Sequence, residues 1–217
     1  MRNTILLASL GLALLTAGPG CKPRIPVIHA PYSDNFDRAE LGAEWNDTGK
    51  SARIKNGQLN VVNAYNHPVW LRRKLPSNVQ IDFDAVSRSP AGDIKVELFG
   101  DGESFDPDKG RYDPTGYMVV FGGWNNNKSI ISRLGEHDEA VKIAYDRVGS
   151  EPLVLPGKIY HFTITRRGGA IEWKLNGAPY LSWTDPVPLG GSGHEFFAIN
   201  DWEADVSFDN LVIKPVN

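Results

Sequence analysis

The sequence is short of cysteine, of basic excess and of long apolar runs, and each shortage excludes a class of protein. A single cysteine in 217 residues rules out a disulfide scaffold and any thiolate metal cluster. Lys plus Arg number 23 against 26 Asp plus Glu, a formal net charge of -3, so there is no basic stripe for nucleic acid. No apolar run reaches the roughly 20 residues that cross a bilayer as a helix. There is no Gly-x-Ser-x-Gly elbow, no phosphate-cradling glycine loop, no internal repeat and no low-complexity tract. What is present is 41% hydrophobic residues with 22 glycines and 15 prolines. That is enough apolar material for a filled core and enough turn formers to break it into short elements.

The first 20 residues read as an address. Arg2 precedes the apolar run Ile5 to Ala17, and small residues lead to Cys21, the layout of a secretory signal. With the cysteine placed where it would become residue one, the segment resembles a bacterial lipoprotein signal. The resemblance implies acylation of Cys21, anchoring to membrane through two or more chains, and, with Lys22 following, an outer-membrane location at the cell envelope. Gly18 stands where that signal usually has leucine, which leaves an ordinary signal peptide as the alternative. Residues 21–32 carry three prolines and read as a stiff tether, and residues 33–217 as the folded domain.

Period-two alternation recurs through that domain. Val79, Ile81, Phe83 and Ala85 alternate with polar residues, as do Ile94, Val96 and Leu98 with Lys95 and Glu97. The same holds for Tyr160–Ile164, Ile171–Leu175 and Val206–Phe208. Each strand is expected to hide one face and wet the other, as antiparallel sheets do. Asn56-Gly57, Asn176-Gly177 and Gly168-Gly169 separate strand pairs and predict tight hairpins, because these residues tolerate positive φ. Val141, Ile143 and Tyr145 predict a further strand. Asp34–Asp37 and Phe208–Leu211 are expected to lie on neighbouring strands that bring the ends of the domain together. The fold class is all-β, an antiparallel two-sheet β-sandwich of jelly-roll type.

Ser33-Asp34-Asn35-Phe36-Asp37-Arg38, Trp45 and Ile54–Leu59 with its Asn56-Gly57 turn resemble the opening of a concanavalin A-like lectin/glucanase domain. Pro156-Gly157, Ile171–Gly177, Asp185–Leu189 and Phe208-Asp209-Asn210-Leu211 resemble its later strands. The likeness is nearest to the laminin-G-like, DUF1080-type (keto-disaccharide hydrolase) and DUF1961-type branches. It implies a sandwich that binds or processes polysaccharide on a concave sheet face or at its rim. Trp45, Trp173 and Trp183 then fall at core positions.

Three stretches combine aromatic, amide and charged residues suited to sugar. In Gly116–Asn127 a strand ends in Gly122-Gly123, followed by Trp124, Asn125 and Asn127, with Arg133 nearby. Asp201 adjoins Trp202, and His67 precedes Trp70. Tryptophan faces stack on sugar rings, and amides both donate to and accept from hydroxyls. Each stretch reads equally as a turn or edge with a packed aromatic. For catalysis the candidates are His137, Glu136, Asp138 and Glu203, but the Glu-x-Asp strand of related retaining glucanases starts at Glu136 and is not completed. A non-catalytic binding role therefore leads. A hydrolase or lyase acting in the same cleft is the alternative, and a structural envelope lipoprotein the third. Calcium is the one cofactor with hard oxygen ligands on offer, at Asp106 and Asp108 in a Gly/Pro loop and, by the family resemblance, at Asp34 and Asp209. Spacing at Asp106 departs from an EF-hand, and a solvated acidic loop is the competing reading.

Overall fold

A computed structural model describes residues 25–105, 112–137 and 140–217; Cys21, Asp106, Asp108 and Asp138 lie outside them. The strands in chain order are β1 (Tyr32–Asp34), β2 (Trp45–Asp47), β3 (Ala52–Lys55), β4 (Gln58–Val62), β5 (Val69–Leu71), β6 (Val79–Ser87), β7 (Ile94–Gly100) and β8 (Tyr117–Gly122). They continue as β9 (Lys128–Arg133), β10 (Val141–Asp146), β11 (Ile159–Arg167), β12 (Ala170–Leu175), β13 (Ala178–Thr184), β14 (Phe196–Asn200) and β15 (Asp205–Pro215). They form two antiparallel sheets. One runs β13-β12-β11-β6-β15-β4-β3, with β1 added to β15; the other runs β10-β9-β8-β7-β14-β5-β2. The all-β sandwich expected from the alternation is the fold observed.

The turn chemistry explains the hairpins. Asn56 and Gly57 sit at φ 54° and 70°, and Asn176 and Gly177 at 52° and 80°, the left-handed pair that two-residue hairpins need. Gly168-Gly169 joins β11 to β12 as predicted. The ends of the domain do pair: Asp34 on β1 lies opposite Leu211 on β15.

The sheets face each other across an aromatic core. Phe83 stacks on Phe162 with ring centroids 4.7 Å apart and reaches Phe197 of the opposite sheet at 6.4 Å. Phe121 meets Phe162 and Trp173 edge-on at 5.9 Å. Trp45 and Trp173 are buried and Trp183 is half-buried against Tyr117, as their motif positions implied.

The expectation that each sheet wets its outer face holds for the eight-stranded sheet, where Gln80, Asp82 and Asp84 of β6 are half-buried. It fails for the seven-stranded sheet. Every residue of β7 is buried, Lys95 and Glu97 included. Tyr112 packs over Met118, Val120 and Ile130 there, and the connections beyond β4 and β9 bring Asn66 and Glu136 onto Lys95. The outer face of this sheet is thus closed over β7 and β8, and a cleft opens at one end of it.

Candidate functional site

That space is a cleft of about 430 Å³ with Lys95 and Val120 at its floor. Its walls come from loops: Ala91 and Asp93 before β7, Trp124 and Asn125 between β8 and β9, and Glu136 and His137 after β9. Trp202 and Glu203 between β14 and β15, with Asn66 between β4 and β5, complete it. The volume falls within the range of small-molecule sites.

Trp124 is presented by an uncommon backbone. Gly123–Asn126 close a four-residue helical turn in which Trp124 and Asn125 have left-handed angles (φ 52°, ψ 56° and φ 56°, ψ 46°), after Gly122 at φ 67°. Asn126 follows at φ 63°. Left-handed backbone costs an L-residue roughly 1–2 kcal/mol, less for asparagine, so the turn needs outside support. The buried Asn126 amide supplies it: its nitrogen donates to the carbonyls of Pro90 (3.1 Å) and Val154 (2.7 Å), and its oxygen accepts from the Val154 N–H (2.7 Å). Asn127 donates to the carbonyls of Trp124 and Asn125. The outcome is a tryptophan ring 41% exposed on a fixed stalk.

Trp202, 47% exposed, is held as firmly. Its N–H donates to the Asp93 carboxylate at 2.5 Å, its carbonyl accepts from Tyr65 N at 3.0 Å, and its ring meets Tyr65 edge-on at 5.2 Å. Tyr65 and Asn66 are themselves left-handed, at φ 50° and 65°. Asp201, next in chain, is buried: one carboxylate oxygen accepts from Ala64 N at 2.9 Å, and the other has no hydrogen-bond partner among the described residues. Burial pushes the Asp201 carboxyl up to about 7, with Asp93 adding to the rise and backbone N–H donors and Lys95 opposing it.

Lys95 ties these loops together. Its ammonium donates to Asn66 Oδ1 at 2.6 Å and Glu136 Oε2 at 3.0 Å and lies 4.0 Å from Asp93 Oδ2. Burial works against its charge, but Asp93 and Glu136 outweigh burial and hold the ammonium above its ordinary range. Two residues along the same strand face, Glu97 is equally buried. It accepts from Tyr112 Oη and from the N–H groups of Thr115 (2.9 Å) and Gly116 (2.7 Å). Burial raises its carboxyl to about 7 against those donors.

Of the residues singled out from sequence, the fold gathers Trp124, Asn125, Glu136, His137, Trp202 and Glu203 into this one cleft. Asp201 lies behind it and Asn127 braces it. Three candidates are corrected. Trp70 is fully buried among Phe196 and Ala198, because the central position of β5 sets its ring against Gly100 at the end of β7, and it has no face left for a sugar. His67 is stacked on Phe105 at 3.7 Å and does not line the cleft. Arg133 is engaged by Asp185 at 3.0 Å, which also accepts from Tyr117 Oη, so it braces the far end of the sheet. Of the metal candidates, Asp34 and Asp209 lie among the described residues, and their oxygens are engaged by protein donors. Both Asp34 oxygens are filled by donors, from Arg38 (2.5 and 2.9 Å), Trp45 Nε1 (2.9 Å) and Phe36 N (2.9 Å). Asp209 accepts from Gln58 and Asn210. Among the described residues no group of three His, Cys, Asp or Glu is placed to hold a metal. Missed from sequence were Asp93, at a left-handed turn position, and Lys95, which reads as an ordinary solvated strand residue; Asn66 fell inside the stretch that offered His67 and Trp70.

Solved structures share this architecture. A carbohydrate-binding module, CBM66, from Bacillus subtilis superposes with a TM-score of 0.60 over 79% of this chain and 95% of its own, at 14% identity. A β-1,3-1,4-glucanase (lichenase) derived from a mouse hindgut metagenome gives 0.58 over 86% and 100%, at 12% identity. The exoplasmic/lumenal domain of VIP36, in a Ca²⁺- and mannose-bound form, gives 0.62 over 85% and 89%, at 9% identity. At such identities the likeness establishes the fold, a jelly-roll sandwich shared by lectins and glucanases. A family model described as farnesoic acid O-methyl transferase matches residues 104–211, which run from just before β8 into β15. That segment is similar to the family and contains Trp124, Glu136, Trp202 and Glu203, but not Asn66, Asp93 or Lys95. No curated protein matches the chain.

Proposed function

We propose that this protein binds a carbohydrate in the cleft between Trp124 and Trp202. The observation that carries the reading is that both exposed tryptophans line one cleft together with the polar groups of Asn66, Asn125 and His137. Indole faces cover the apolar faces of sugar rings while amides serve the hydroxyls around them. Solved structures that share the fold, a carbohydrate-binding module and a mannose-bound domain among them, support the same reading. A location at the end of the seven-stranded sheet is supported by the burial of β7 and β8, which leaves no open concave surface over them.

A second reading is carried by the carboxylates. Asp93, Glu136 and Glu203 line the cleft with His137, so a hydrolase or lyase would have acids and a base at hand. Glu136 is engaged by Lys95, which places the non-catalytic role first. By the reading of residues 1–21, the protein is exported and held at the cell envelope, at the outer membrane, by an acylated Cys21, where it meets poly- or oligosaccharide.

The deciding experiment incubates residues 22–217 with a panel of polysaccharides and follows chain length and co-elution by size exclusion. Unshortened chains that co-elute with protein, and cease to do so in Trp124→Ala and Trp202→Ala, are expected. Shortened chains would make the protein an enzyme, with absorbance of unsaturated ends separating lyase from hydrolase. Co-elution that survives both substitutions would remove the cleft from the account.

A further inference from the structure

We infer that the glycan taken by this cleft carries a protonated amino group, so that its ligand class is a basic amino sugar and not a uronate or a sulfated sugar. The inference rests on the carbohydrate reading above and narrows it.

Charge argues first. The ionisable residues lining the cleft are Asp93, Glu136 and Glu203 against Lys95, with His137 formally neutral, so the formal balance is negative. Lys95 does not offset this for an incoming anion. An ammonium has three N–H donors, and those of Lys95 face Asn66 Oδ1 at 2.6 Å, Glu136 Oε2 at 3.0 Å and Asp93 Oδ2 at 4.0 Å. A sugar carboxylate or sulfate entering here meets a floor ammonium already hydrogen-bonded to Asn66 and Glu136 and ion-paired with Asp93, and three carboxylates on the walls. Desolvating such an anion without a partner is costly.

Two further features fit a cation. Glu136 lines the cleft with one oxygen on Lys95, while its Oε1 is shielded from solvent and has no hydrogen-bond partner among the described residues. A buried acceptor left unmade is unfavourable, so a small rotation of the Glu136 carboxyl that turns this oxygen toward a ligand ammonium would supply the missing donor. The walls are two tryptophans, the side chain whose ring face attracts cations most strongly. Lys128 already lies 5.8 Å from the Trp124 centroid, but it is outside the cleft lining and is paired with Asp146 at 3.8 Å.

The test is calorimetric titration of the protein with three short oligosaccharides: fully deacetylated glucosamine, its N-acetylated counterpart and galacturonate. The deacetylated oligomer is expected to bind tightest, more weakly as salt is added, and to lose at least about tenfold in affinity with Trp124→Ala, as an aromatic anchor does. Glu203 is solvent-exposed, so Glu203→Gln is compatible with the fold. It is expected to lower the ratio of deacetylated to acetylated affinity by up to about fivefold, the worth of one exposed ion pair. If the acetylated or uronate oligomer binds as tightly, and does so through Trp124, the amino-sugar inference is wrong and the carbohydrate reading stands. If none of the three binds at millimolar concentration, or binding ignores Trp124→Ala, both fall.

Discussion

Lys95 shows why a residue's role is set by what covers it. Its ammonium holds together Asn66, Glu136 and Asp93, which come from three separate stretches of chain. Replacing Lys95 by Met keeps the bulk and removes the charge. Glu136 and Asp93 would then face each other with no cation between them, and breaking a buried pair from one side costs about 3–5 kcal/mol. Chemical denaturation should register that loss, whereas Lys174→Met, on the exposed face of β12, should change little. Equal stability in the two variants would show that the buried ammonium does not organise the cleft. Nothing local announces this role. In sequence, Lys95 and Glu97 alternate with apolar residues just as Asp82 and Asp84 do, yet the second pair is half-buried and the first is sealed in. The same holds for Arg133, whose partner Asp185 is 52 residues away. By contrast Trp124, Asn125 and Trp202 were singled out from sequence and do line the cleft, because each lies in a loop directly after a strand end, where alternation stops and an aromatic or amide is not drawn into the core.

At the scale of elements, the strands and hairpins follow from alternation and from Asn-Gly turns, which are local signals. The turn that presents Trp124 depends on a distant partner. Gly122-Gly123 marks a strand end in the sequence, but the left-handed run through Asn126 is stable only because the Asn126 amide bonds the backbone of Pro90 and Val154. Asn126→Ala removes three hydrogen bonds and leaves alanine at φ 63°, where asparagine is better tolerated. The expected cost is about 2–4 kcal/mol, combining unsatisfied buried groups with backbone strain. Because Trp124 itself is untouched, glycan binding separates two accounts of the element. If the turn positions the ring, Asn126→Ala weakens binding nearly as much as Trp124→Ala at temperatures where both variants are folded. If binding persists at the original affinity, the left-handed turn is dispensable for function.

Taken as a whole, the molecule carries carboxyls displaced in opposite directions, and their balance sets how stability depends on pH. Burial alone would raise Asp34, but Arg38, Trp45 and the Phe36 N–H outweigh it and lower its carboxyl; Arg73 lowers Glu44. Groups lowered on folding add stability that is lost as acid protonates them. Glu97 and Asp201 are raised to about 7 from ordinary values of 4.5 and 3.8. Between those limits the folded state binds more protons than the unfolded chain, so their contribution is complete in acid and declines as pH climbs to about 7. The melting temperature should therefore peak on the acid side of neutrality and fall toward pH 7, then level off. Glu97→Gln isolates one cause. The amide oxygen keeps the bonds from Thr115 and Gly116, the amide nitrogen can donate to Tyr112 Oη, and no proton remains to be lost. The variant should match or trail the native protein in acid and gain on it as pH rises, flattening the decline by several degrees. Parallel melting curves for the two proteins between pH 4.5 and 7 would mean that Glu97 does not take up its proton on folding, and that its four donors are enough to keep it ionised at full depth in the sheet.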